Sequence, residues 1–382
     1  MQPVTVLFSL TALVGSVVYA ATQPPRQPPA EALAACASKA VGTQCSVQLP
    51  DRTLQGSCQQ VPSGQTACVP QGMPPMNGGN GTMQPPANNG AGMGGDMGGG
   101  MGGGLHSHTI NQSSGKVTLI PATQDPITNS TITVTTSGNQ RVIVANGISK
   151  HRTGKFPNAG NPNSISVQSY TFKIPLNPKL TGQIKNIGLN NFGIAVNGVT
   201  FDPTAAETYK GDRTWTYEAM SGAIPLGVDA NHAHVQPTGA YHYHAKPTLL
   251  LQSLGVSASK HSPLVGWAAD GFPIYALYGY QANSKQVIPV SSSYRLKQGQ
   301  RPKGGTNPGG TYDGTFLNDY EYVQGAGNLD ECNGRMTSTP EFPQGTYAYF
   351  ITNEYPMIPR CFKGSPSSDF MHRLPGMRPN GG

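Results

Sequence analysis

Charged residues are scarce in this chain: Asp, Glu, Lys and Arg make up 11% of its 382 residues. The 25 basic side chains outnumber the 18 acidic ones for a formal charge of +7, yet they are scattered, with no basic run and no basic stripe interleaved with aromatics. That argues against nucleic acid as a partner and leaves the excess to solubility or loose attraction to anionic surfaces. Long apolar runs are scarcer still. The one candidate, Val4 to Val18 in MQPVTVLFSLTALVGSVVYA, has about fifteen residues against the roughly twenty that a membrane-spanning helix needs. With small residues before a cut after Ala20, residues 1–20 read as a signal peptide, although the segment lacks Lys and Arg. No twin arginine and no cysteine at the cut argue against Tat export and lipid anchoring. The expectation is an exported protein, periplasmic or secreted, that does not span a membrane.

Long helical periods are missing as well. With 49 Gly and 34 Pro, the chain favours short strands and turns. KVTLI, TITVTT, QRVIVAN, SYTFKIP and GIAVNGVTF are β-branched or aromatic runs bounded by Gly, Asn, Pro or Ser. They predict a mainly β fold over residues 105–382, an antiparallel β-sandwich or distorted barrel with long loops.

There are only six cysteines, and in an exported chain they read as disulfides before they read as thiolate metal ligands. Cys36, Cys45, Cys58 and Cys68 allow three connectivities, among which sequence does not choose. Cys332 and Cys361 form a separate pair, whose bridge would be worth about 3 kcal/mol in the chain-entropy model. The predicted organisation is a Pro-rich lead (21–35), a disulfide-stapled four-cysteine unit (36–70) and a Gly/Met-rich linker (71–104) before the β-domain. A short helix at Glu31–Lys39 and two strands, in VQLPDRTLQGSC and GQTACVP, build the small unit. The linker holds six of the twelve methionines; thioethers bind Cu(I), but a tract with so little apolar bulk reads first as a flexible tether.

Signatures of several chemistries are absent: no Ser-His-Asp elbow, no cysteine-nucleophile motif, no phosphate loop. What the chain does have is DANHAHVQPTGAYHYH, Asp229 to His244, which holds four of its nine histidines. Pro237-Thr238-Gly239 suits a three-residue hairpin loop, with Gly in the left-handed position. Gln236 then faces Ala240, Val235 faces Tyr241, His234 faces His242, Ala233 faces Tyr243 and His232 faces His244. Side chains alternate along a strand, so all four histidines are expected on one face, with directly opposed Cβ atoms roughly 4.5–5.5 Å apart. Imidazole nitrogens at that spacing can converge on one ion at roughly 2.0–2.1 Å. A metal-free hydrogen-bonded His/Tyr network is the competing reading.

Imidazole suits Zn or Cu among others, and Asp229 is close enough to be a carboxylate ligand. Asp270, in GWAADGFPIYALYGY, could act as a general base, orient a ligating imidazole or simply make a turn. His151 and His261 are further candidates. His106 and His108, in LHSHT, read equally as surface residues and as accessory ligands. There is also an echo: GAYHYH at Gly239 to His244 and GTYAYF at Gly345 to Phe350 share a Tyr-x-Tyr pair, as a duplicated hairpin or a coincidence would.

The tetrapeptide Tyr241-His242-Tyr243-His244 resembles the motif that names the YHYH-domain family. The resemblance continues through NGISKH, NPNSISVQ, LGVDANHAHVQPTGAYHYH, GWAADGFPIYALYG, LDECNG and YPMIPRCFKG, most of residues 140 to 365. It implies an exported or envelope protein without a settled activity. The implied site includes His232, His234, His242 and His244, with His151 and Asp270 in matching segments. TYAYF lacks histidine, which weighs against a second metal centre there. The leading expectation is an exported metal-binding protein with a histidine-hairpin site for Zn or Cu. A metal-dependent hydrolase or copper oxidoreductase, acting on a polysaccharide or phosphate-containing ligand, is the first alternative. A carbohydrate-binding or adhesive module without metal is the second.

Overall fold

The structure, a computed structural model, describes residues 30–48, 53–61, 65–70, 106–113, 115 and 117–371. The expected signal peptide, most of the Pro-rich lead and the Gly/Met linker lie outside the described residues. The chain divides into two compact units, Met1–Asp96 and Met97–Gly382. Among the described residues no helix is long and apolar enough to cross a membrane.

In the first unit a helix, Ala30–Ala34, precedes an antiparallel meander of Gln44–Gln48, Thr53–Gln60 and Thr66–Pro70. The stretch expected as one strand, Val47 to Cys58, therefore contributes to two strands, and the helix is shorter than expected. Pro50-Asp51 is turn chemistry that a single strand could not carry in its interior. Disulfides join Cys36 to Cys58 and Cys45 to Cys68. Among the described residues the rest of the buried core is Ala32, Val47 and Ala67, so the half-cystines themselves are much of what is buried.

The second unit is mainly β, and its sheets are not closed into a barrel. Its centre is an eight-stranded sheet. We label the strands β1 (Gly193–Ala195), β2 (Thr200–Phe201), β3 (Ala233–Val235), β4 (Tyr241–Tyr243), β5 (Gly266–Ala268), β6 (Pro273–Ala276), β7 (Gly334–Thr337) and β8 (Thr346–Ile351). Their order in the sheet is β3-β4-β2-β1-β5-β6-β8-β7. Most pairings are antiparallel, while β2/β4 and β6/β8 are parallel. A separate antiparallel sheet, built from Ile132–Ser137, Gln140–Ala145 and Tyr170–Pro175, gives Ile143, Phe172 and Ile174 to the same apolar core. Cys332 is bridged to Cys361, as expected.

That strand order is symmetric about the β1/β5 pair, and the symmetry extends to single residues. GIAVNGVTF (193–201) and GWAADGFPI (266–274) form the same hairpin. Val199 O accepts from Ala195 N at 2.8 Å, and Phe272 O accepts from Ala268 N at 3.0 Å. Gly198 and Gly271 close these turns at φ +84° and +90°. VDANHA (228–233) and LDECNG (329–334) repeat in the same way. Asp229 N donates to Ala233 O at 2.8 Å, and Asp330 N donates to Gly334 O at 2.9 Å. His232 and Asn333 share a left-handed backbone, φ +55° and +52°. Opposite them, Ala233 pairs with Tyr243 and Gly334 with Tyr349. The Tyr-x-Tyr echo is therefore one piece of an internal duplication in which β1–β4 and β5–β8 are equivalent halves.

Candidate metal centre

The β3–β4 hairpin forms in the expected register: Val235 faces Tyr241, His234 faces His242 and Ala233 faces Tyr243. Its loop closes as expected, with Gln236 N donating to Ala240 O at 3.0 Å and Gly239 at φ +83°. Alternation sends Tyr241 and Tyr243 into the apolar core. It sends His234, His242 and His244 to the other face, where they meet.

His244 Nε2 lies 2.9 Å from His234 Nε2 and 3.0 Å from His242 Nε2. The ring centroids of His234 and His242 are 4.7 Å apart. Backbone carbonyls fix two of the three tautomers. His234 Nδ1 faces Leu226 O at 2.9 Å and His242 Nδ1 faces Ala240 O at 3.1 Å. A carbonyl only accepts, so each Nδ1 carries the hydrogen and each Nε2 presents a lone pair to His244. His242 and His244 are buried, each 2% exposed. Burial pushes the His234 imidazolium toward its neutral form, against the Leu226 carbonyl and the charges of Glu207, Asp202 and Asp229. Burial also holds His244 well below the usual histidine range, reinforced by its two histidine neighbours and Arg360. Neutral rings are the form that ligates metal.

The other expected residues are placed elsewhere. His232 departs from strand alternation because its backbone is left-handed, and its Nδ1 turns to Lys246 O at 2.8 Å. The cluster thus holds three histidines rather than the expected four. Asp229 faces the tyrosine side of the sheet. It is fully buried and accepts from Tyr241 Oη (2.7 Å), Gly154 N (2.8 Å) and Asn231 N (2.8 Å), so its carboxylate is engaged in holding the turn before β3. His151 is also across the sheet: its Nδ1 donates to Arg152 O, and its Nε2 accepts from Tyr243 Oη at 2.6 Å.

Asp270 belongs to the second half. It is the counterpart of Asn197, and the two touch counterpart tyrosines. Asn197 Nδ2 donates to Tyr243 Oη at 2.9 Å, and Tyr349 Oη donates to Asp270 Oδ2 at 2.6 Å. Burial raises Asp270 to about 6, partly offset by Tyr349 and the Gly364 and Phe272 amides. The placement is that of a turn residue beneath a tyrosine, not of a base beside the histidines. His261 packs in the same half against Tyr275 and Tyr280. His106 meets Glu207 at 3.3 Å on an exposed edge, while His108 stands edge-on to Tyr217.

One neighbour of the cluster has no signature in the sequence. Asp202 N donates to Tyr243 O at 2.9 Å, extending β2 by a residue. Alternation then puts its side chain on the histidine face with Thr200, and Gln236 Nε2 donates to its Oδ2 at 2.9 Å. Only the parallel β2/β4 pairing brings FDP to the histidines, and such a pairing leaves no local mark in a sequence.

These features define a class: a mainly β protein with an internally doubled sheet, one half of which carries a three-histidine cluster with two of its rings buried. The chain belongs to the YHYH protein family, whose model matches residues 171–364, a span that holds both halves of the sheet. No curated protein and no solved structure matches it.

Proposed function

We propose that the chain is an exported metal-binding protein that holds one Zn or Cu ion on Nε2 of His234, His242 and His244. The observation that carries this reading is the pair of 2.9 and 3.0 Å contacts among three nitrogens of which two already present lone pairs. His244 has at most one hydrogen on Nε2 to offer, so without a metal it donates to one of the two neighbouring rings and not to both. A cation satisfies all three. Three ring nitrogens this close together would hold a shared ion that ligates imidazole at roughly 2.0–2.1 Å.

The duplication supports the same reading. At the positions of His234, His242 and His244 the second half has Arg335, Ala348 and Phe350, on the same hairpin. The fold itself does not require histidine there. Three protein ligands leave a coordination position for water, the pattern of catalytic rather than closed structural zinc. That open position favours metal-assisted hydrolysis as the second reading.

The test is elemental analysis of the exported chain, purified without a histidine tag. About one equivalent of Zn or Cu is expected, as a site with one set of ligands requires. His242→Ala combined with His244→Ala should lose it while keeping the β-type circular dichroism. Metal content unchanged in the double variant, or no uptake by the wild-type chain on dialysis, would reject the site.

A further inference from the structure

A cavity of about 230 Å³ adjoins the histidine cluster, with His242 in its wall. Its polar lining residues include Gln168, Asn191, Gln236, Tyr170 and Thr200. Its apolar lining is a run of stacked rings: Tyr170 on Phe172 at 5.1 Å and Phe172 on Phe370 at 4.0 Å. Asp369 supplies the one carboxylate, and no Lys or Arg is among the described residues that line it.

The chemistry of such a lining selects its occupant. A carboxamide both donates and accepts, as does a hydroxyl, so the wall matches groups that do both. Aromatic rings pack the C–H faces of a compact ring. Among the described residues an anion would meet Asp369 and no cation, which disfavours phosphates and uronates. The volume is below the roughly 300–1,000 Å³ of drug-sized sites, so one small ring fits where an extended chain does not. Asn191 adds a second observation. It is buried, 9% exposed, and its Oδ1 has no hydrogen-bond partner among the described residues. In the duplicated half Thr200 becomes Pro273 and His242 becomes Ala348, so the fold does not demand polarity here either.

We propose that this cavity binds one residue of a neutral saccharide, next to the metal. The proposal rests on the metal reading for its consequence, a bound sugar beside an open coordination position, while sugar binding itself is measured separately. The experiment is calorimetric titration of the full exported chain, zinc-loaded and EDTA-stripped, with glucose, galactose, N-acetylglucosamine and their short oligomers. Galacturonate, inorganic phosphate and a neutral tripeptide serve as competitors.

A neutral sugar is expected to bind. Asn191→Leu should weaken it about tenfold, the effect of losing one buried hydrogen-bonding group. Gln168→Ala, at a half-buried position, should weaken it by about threefold. Both variants should keep the wild-type metal content. Absence of binding by every neutral sugar, preference for galacturonate, phosphate or peptide, or wild-type affinity in both variants would overturn the cavity assignment. Sugar binding without any metal uptake would leave the cavity standing and remove the metal from it.

Discussion

His232 occupies a left-handed backbone, φ +55°, that most side chains avoid and that Asn and His tolerate best. Its counterpart is Asn333, at φ +52°, in the same hydrogen-bonded turn. The residue is therefore set by the turn and not by the metal, although it stands in the motif as one of four histidines. His232→Asn is expected to keep one equivalent of metal and to stay within about 0.5 kcal/mol of wild-type stability, as Asn suits the conformation. His232→Ala should cost about 1 kcal/mol, the penalty for a Cβ without local hydrogen bonding there. Urea unfolding and metal analysis of the two variants check this; metal loss in the Asn variant would return His232 to the ligand set.

At the scale of elements, the hairpin was legible and its surroundings were not. Pro237-Thr238-Gly239 fixed the turn, the turn fixed the register, and the register put His234, His242 and His244 together. What failed was the extrapolation of alternation one residue past β3, where Asp229 ends the strand geometry. Asp229, His151 and Asp270 failed for a common reason. Each lies near the hairpin in sequence or in motif, yet the sheet has two faces and two halves, and a side chain's face depends on long-range pairings. The duplication was visible only as Tyr-x-Tyr, because the two halves share turns and tyrosines while most of the intervening positions differ. It yields a prediction for Asp270. The counterpart turn works with Asn197, whose neutral amide meets Tyr243 where Asp270 meets Tyr349. Asp270→Asn should fold, keep its metal, and be at least as stable as wild type at pH 7, because it removes a buried carboxylate raised to about 6. A loss of more than about 2 kcal/mol at pH 7, beyond the range of one neutral hydrogen bond, would contradict the equivalence.

Across the whole molecule, the buried titrating groups act in opposite directions with pH. His108, His151 and His261 are each pushed below the usual histidine value, in every case mainly by burial. The unfolded chain titrates these groups near pH 6.5 and binds more protons than the folded one just below it. Their contribution is present above about pH 6.5 and is lost as pH falls through the folded values. Asp270 has the reverse sign. Its folded value, about 6, stands above the unfolded 3.8, so its contribution is full below 3.8 and lost as pH rises through about 6. Acidification should therefore weaken the EDTA-stripped protein through its histidines while protonation of Asp270 offsets part of the loss. The urea midpoint should fall between about pH 7.5 and 5.5, and fall more steeply in Asp270→Asn, where Asp270's share of the offset is gone while the raised carboxyls of Glu218 and Asp330 remain. A midpoint in Asp270→Asn that stays level or rises over that interval would mean that the buried histidines do not govern the acid limb.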